Sequence, residues 1–121
     1  MTAPLLVIVD AANVVGSVPD GWWRDRHGAA ERLRDRLAAD GLPGHPGAVD
    51  IVLVVEGAAR AVRSVPGVRV EAAPGSGDDR LVDLVGAAGD RPCLVVTADR
   101  ELRRRVTALG AQVTGPRAVP R

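Results

Sequence analysis

The feature that most constrains this chain is a rhythm. Short β-branched runs at Leu5–Val9, Ile51–Val55, Val68–Val70, Leu94–Val96 and Ala111–Val113 alternate with stretches of helical pattern. The longer runs are apolar throughout instead of alternating apolar with polar, the habit of parallel strands covered on both faces. Trp22 to Ala39 reads as a helix, with Ala29, Ala30, Leu33 and Leu37 on one side and Arg and Asp on the other. GDDRLVDLVGAAG, from Gly77, starts a second helix, and DRELRRRVTALG, from Asp99, a third that ends at Gly110, a C-cap glycine. GAARAVRSV, from Gly57, has room for a short helix. The resulting order, βαβ(α)βαβαβ, predicts an α/β fold: a three-layer α/β/α sandwich around a central, mainly parallel, five-stranded sheet.

GLPGHPG and APGSG read as loops and GPRAVPR as a frayed tail. No internal repeat and no linker long enough to split the chain is present. With 121 residues and 46% hydrophobic content, one core and one domain are expected, over residues 1–114, followed by a flexible tail at 115–121.

Composition removes several classes of function. No apolar stretch approaches the roughly 18 residues of a membrane span, and the N-terminus lacks the features of a signal peptide, so a cytoplasmic protein without a membrane partner is expected. The one cysteine, Cys93, has no partner for an internal disulfide, and with only His27 and His45 beside it a structural zinc cage is not expected. Any metal should be hard and oxygen-bound. All 16 basic residues are Arg, which a GC-rich coding bias explains, so their distribution is more telling than their number. Six Arg stand against the single acid Glu101 from residue 100 onward, whereas ten Arg stand against fourteen acids before it. An acidic body thus carries a basic C-terminal end.

In an open parallel sheet, ligands bind beyond the carboxyl ends of the strands, and the acids of this chain sit there. Asp10 follows the first run and Glu56 the second. Asp78 and Asp79 open the helix after the third, with Asp83 one turn beyond Asp79, and Asp99 follows the fourth by way of Thr97. Each also has an ordinary explanation: Asp78, Asp79 and Asp99 suit helix caps or first turns, Asp83 a solvated helix face and Glu56 a surface turn. Taken together, carboxylates within roughly 4–6 Å of one another repel and raise each other's pKa unless a cation neutralises them. Mg²⁺ or Mn²⁺, which prefer carboxylate and water ligands, fit best.

Three motifs in order resemble those of the PIN-like nucleases, in particular the NYN ribonuclease domains. VIVDAANVV is similar to that group's first-strand D-G/A-x-N motif, GSGDDRLVDLV to its double-Asp helix start, and VVTADREL to its fourth-strand V-[TS]-x-D motif. The resemblance covers nearly the whole chain. It implies a sheet of order 3-2-1-4-5 and a Mg²⁺- or Mn²⁺-dependent site that hydrolyses RNA. Asp10, Asn13, Asp78, Asp79 and Asp99 would be its catalytic residues, and Asp10, Asp79, Asp99, Asp83 and Glu56 its metal ligands. Asn13 would orient Asp10, a water or a phosphate oxygen, and Thr97 would support a ligand or the substrate.

Arg100, Arg103 and Arg104 follow Asp99 on one helix, beside the carboxylates where a phosphate backbone would lie, and are RNA-binding candidates. The alternative is a solvated face with an Asp99–Arg103 pair. Of the only aromatics, one Trp is expected under the first helix and the other to stack on a base or form a partner surface, with Trp22 the RNA-binding candidate. RNA is the expected partner, with a homodimer or a regulatory protein partner left open. The main rival is a non-catalytic RNA-binding or regulatory module of the same fold. A receiver domain would want a Lys that this chain lacks, and a haloacid-dehalogenase-type phosphatase a second Asp where Ala12 stands.

Overall fold

The computed structural model describes residues 3–45 and 47–120; Pro46 of the GLPGHPG loop and Arg121 of the tail lie outside them. Five strands, β1 (Leu5–Asp10), β2 (Val49–Val55), β3 (Val68–Ala72), β4 (Cys93–Val96) and β5 (Gln112–Thr114), form one sheet of order β3-β2-β1-β4-β5. Every pairing between these strands is parallel, as expected. The helices are α1 (Ala11–Gly16), α2 (Arg26–Asp40), α3 (Gly77–Ala87) and α4 (Arg100–Thr107).

Side-chain alternation splits the core into two layers. Val7 and Val9 of β1, with Ile51, Leu53 and Val55 of β2, pack against Ala30, Leu33 and Leu37 of α2. Leu6 and Ile8, with Val52 and Val54, pack against Leu81 and Val85 of α3 and Leu102 and Val106 of α4. Both faces of the central strands are therefore covered, which is why their sequences carry no polar alternation.

The strand ends lie within two residues of expectation, helix α1 was not foreseen, and three segments differ more. The helix placed at Trp22 to Ala39 starts at Arg26, because Asp25 caps it by accepting from the Gly28 N–H at 2.9 Å; Trp22–Arg24 form a separate 3₁₀ turn. The helix expected in GAARAVRSV is one 3₁₀ turn, Gly57–Ala59. The frayed tail is the clearest correction. Pro116–Ala118 form a 3₁₀ turn, Val119 is only 5% exposed within the α2-side core, and Arg36 Nε donates to the Pro120 carbonyl at 3.2 Å. Glycine and proline content read as fraying, but one buried valine anchors the segment.

Val119→Ala is accordingly expected to lower unfolding stability by roughly 1–3 kcal/mol, the cost of a buried truncation. A frayed tail would give a change within about 0.5 kcal/mol in chemical denaturation.

Candidate active site

Parallel register sets the site. Asp10, the last residue of β1, pairs across to Val54 of β2, while Val9 lies beside Val96 of β4, so that Asp10 and Thr97 leave the sheet together. Neighbouring connections diverge from these two strands to opposite faces, the point at which an open α/β sheet forms its crevice. Asp10 is 7% exposed and Thr97 fully buried. The Thr97 hydroxyl donates to Asp10 Oδ2 at 2.9 Å, and Asp10 Oδ1 caps α1 by accepting from the Asn13 N–H at 3.3 Å.

A short network stitches the two strand ends. Asn13 Oδ1 accepts from the Ala98 N–H at 2.8 Å, and Thr97 Oγ1 accepts from the Asp99 N–H at 3.2 Å. Asp99 Oδ1 caps α4 by accepting from the Leu102 N–H at 3.0 Å, and Arg103 Nε donates to the Thr97 carbonyl at 2.8 Å. Asn13 thus holds the turn after β4, and its side-chain amide donors remain for other partners. Across the crevice, Glu56 Oε2 accepts from the Gly77 N–H at 2.6 Å, in the first turn of α3. A Cβ at Gly77 would come within 3.2 Å of that oxygen, so glycine permits the approach.

Electrostatics separates the candidate acids into two groups. Burial pushes Asp10 up to about 6; its bonds from Thr97 and Asn13 oppose the rise, and the charges of Asp78 and Glu56 add to it. Asp78 is also raised, first by burial and then by Asp99 and Glu56, against the pull of Arg105. The charges of Asp78 and Glu56 therefore reach Asp10, and those of Asp99, Glu56 and, most weakly, Asp79 reach Asp78. Among the described residues none of Asp10, Glu56, Asp78 and Asp99 takes part in an ion pair, although the chain has 16 Arg. Asp79 and Asp83 are placed differently. Asp79 is exposed and pairs with Arg105 of α4 at 3.0 Å, and Asp79 and Asp83 line a separate shallow cleft with Glu71 and Arg80.

The basic helix is similarly divided. The Asp99–Arg103 pair does not form; Arg103 is half-buried on the Thr97 carbonyl. Arg104 is exposed and bonds Glu101 within its own helix. Arg100 is exposed, with no hydrogen bond or ion pair among the described residues, and stands directly after Asp99. Trp22 is half-buried against Gly16 with the Arg26 guanidinium over its ring, while Trp23 is 53% exposed. The reading of the sequence missed Ser76, whose hydroxyl accepts from the Asp78 N–H at 3.1 Å, and Arg105. Serine two residues before an Asp-rich helix start is a visible cap signal. The Arg105 pairing, 26 residues away in sequence, has no local signal.

Among the described residues no three His, Cys, Asp or Glu side chains are grouped closely enough to hold a metal ion. Mg²⁺ needs no such cage: it is commonly held by one or two carboxylates, keeps several waters and takes further oxygens from a phosphate. A buried, unpaired carboxylate with acidic neighbours is the right donor chemistry for it.

No protein-family model and no curated protein sequence matches this chain. Its fold is similar to that in the crystal structure of Rae1 (YacP) from Bacillus subtilis, a W164L mutant, with a TM-score of 0.68 at 18% identity, covering 93% of this chain and 70% of that one. At that identity the likeness shows the shared parallel α/β fold.

Two outcomes test this geometry. Because the folded-state pKa of Asp10 lies above its ordinary 3.8, the folded protein holds a proton that the unfolded chain has released between about pH 4 and 6. Stability from this residue is therefore full below that window and is lost as pH rises through it, by up to roughly 3 kcal/mol. Asp10→Asn should gain on wild type across the same interval in urea titrations at successive pH values; a pH-independent difference would contradict the raised pKa. Second, Arg103→Ala should cost roughly 1–2 kcal/mol by orphaning the Thr97 carbonyl, whereas Arg104→Ala should leave the melting temperature unchanged. Equal effects would return both residues to a solvated face.

Proposed function

We propose that this protein is a metal-dependent ribonuclease of the PIN-like class, hydrolysing RNA phosphodiester bonds at the β1–β4 switch point. The observation that carries the reading is Asp10: a buried carboxylate with no cationic partner among the described residues, at the carboxyl edge of the sheet, near three further acids. A purely structural buried acid would be expected to pair with one of the many guanidinium groups. The three ordered motifs and the shared fold support the same conclusion.

In this reading Asp10 and Asp78 supply the principal ligand oxygens, with Asp99 and Glu56 as acidic neighbours that strengthen the local field. When bound, Mg²⁺ or Mn²⁺ supplies Lewis-acid polarisation of the phosphodiester and lowers the pKa of water. Thr97 and the Asn13 backbone fix the Asp10 carboxylate before any ion arrives, so little reorganisation is needed. The Asn13 side-chain amide and Arg100 offer donors to phosphate oxygens beside the carboxylates. Asp79, expected as a ligand, is available only if its pair with Arg105 opens, and Asp83 stands with it.

A second reading, a non-catalytic RNA-binding module, is favoured by one observation: three acidic side chains are not already gathered on a single point. The two are separated by incubating mixed-sequence RNA with the pure protein in Mn²⁺, Mg²⁺ or EDTA. Cleavage is expected with metal, falling to the EDTA background in Asp10→Asn and Asp78→Asn. Thr97→Val should lower metal affinity by roughly 10–100-fold, as loss of a residue that orients a ligand does. The ion should also raise the melting temperature, by the equivalent of about 1.4 kcal/mol at ten times its dissociation constant. Stabilisation by metal without cleavage of any RNA would select the second reading. Cleavage that survives both EDTA and Asp10→Asn would reject the metal site.

A further inference from the structure

On the sheet face covered by α2, a cleft of about 490 Å³ opens beside the carboxylates, within the roughly 300–1,000 Å³ typical of small-molecule sites. It is continuous with the site already described. Ala11 and Ala12, which follow Asp10 in α1, line it, and Glu56 belongs both to its lining and to the acidic group. Ala30 and Ala59 keep the slot open where larger side chains would fill it. The half-buried indole of Trp22 forms part of the wall, with the Arg26 guanidinium carbon 5.4 Å from its ring centroid.

Small apolar walls and an aromatic ring suit the flat face of a heteroaromatic ring. The polar groups narrow the choice. Glu56 is an acceptor only: Oε2 takes the Gly77 N–H, and the remaining lone pairs ask for donors from the ligand. Guanine presents two adjacent N–H donors, at N1 and the exocyclic amine, matched to one carboxylate. Adenine and cytosine offer an exocyclic amine alone, and the two carbonyls of uracil flank its one N–H and oppose the charge. Arg26 places a positive charge at the same cleft, suited to a phosphate of the nucleotide whose base is inserted.

We propose that this cleft is a subsite for one unstacked RNA nucleobase, guanine by preference, adjacent to the phosphodiester presented to Asp10. Its ligand rests on the ribonuclease reading, but its test does not. Trp22 and Trp23 are the only tryptophans, and Trp22 is the one in the cleft. The ¹⁵N-labelled protein, in EDTA, is titrated with guanosine, adenosine, cytidine and uridine, which carry no charge for the acids to repel. The indole N–H signals are followed, and Trp23→Phe assigns that of Trp22.

Saturable movement of the Trp22 signal is expected, tightest for guanosine. Glu56→Gln, which keeps an acceptor for the Gly77 N–H, should weaken guanosine about tenfold, the loss of a charge-assisted bond. Ala12→Leu, at an exposed position lining the cleft, should abolish the shift by filling the slot. No movement with any nucleoside, or equal movement with all four that survives Ala12→Leu, would overturn the proposal. So would a Trp22 signal that moves with protein concentration alone, which would assign the cleft to a second copy of the chain. Nucleoside binding in a protein that cleaves no RNA would retain the subsite and remove the nuclease; cleavage without nucleoside binding would do the reverse.

Discussion

Asp10 is a buried carboxyl group that receives two hydrogen bonds and, among the described residues, no cation. The bonds from Thr97 and the Asn13 backbone offset part of the desolvation cost; Asp78 and Glu56 add to it. The rest of the site is organised around this tension. Thr97 must be buried beside β1 to reach Asp10, and it holds the Asp99 N–H in turn, while Arg103 grips its carbonyl. One side chain therefore links the end of β1, the end of β4 and the start of α4. Such unrelieved charge is expected where function, rather than stability, sets the composition of a site.

The distribution of arginine reinforces the point. Arg105 neutralises Asp79, Arg80 pairs with Glu71 and Arg104 with Glu101. Exposed pairs of this kind contribute little to stability, but they satisfy acids outside the crevice and leave those inside it without partners. The Asp79–Arg105 pair also joins α3 to α4 across the rim. Asp78 puts its charge on Asp10, whereas Asp79, about 100° further round α3, is held by Arg105.

Much of the architecture was legible because parallel sheets write themselves into local sequence. Runs such as Leu5–Val9 and Ile51–Val55 are apolar at every position, since their odd and even residues enter different cores. The cap residues Asp10, Ser76 and Asp99 also sit where local rules place them. Less was legible at the C-terminus, where Gly115, Pro116 and Pro120 imitate a tail and the decisive fact, the pocket that receives Val119, belongs to β-strands and a helix far away in sequence.

By itself, the sequence determined that the chain is α/β and that carboxylates stand at strand ends, because periodicity and capping are local properties. Only the tertiary structure decided which carboxylates share an environment. Asp78 and Asp79 are neighbours in sequence, yet a helix turns consecutive side chains by about 100°, so the Asp78 charge acts on buried Asp10 while Asp79 pairs with Arg105. Arg103 and Arg104 differ for the same reason, one closing on the Thr97 carbonyl and the other on Glu101. Register between β1 and β4, which no local pattern encodes, brings Thr97 to Asp10 and joins by a hydrogen bond two residues 87 positions apart.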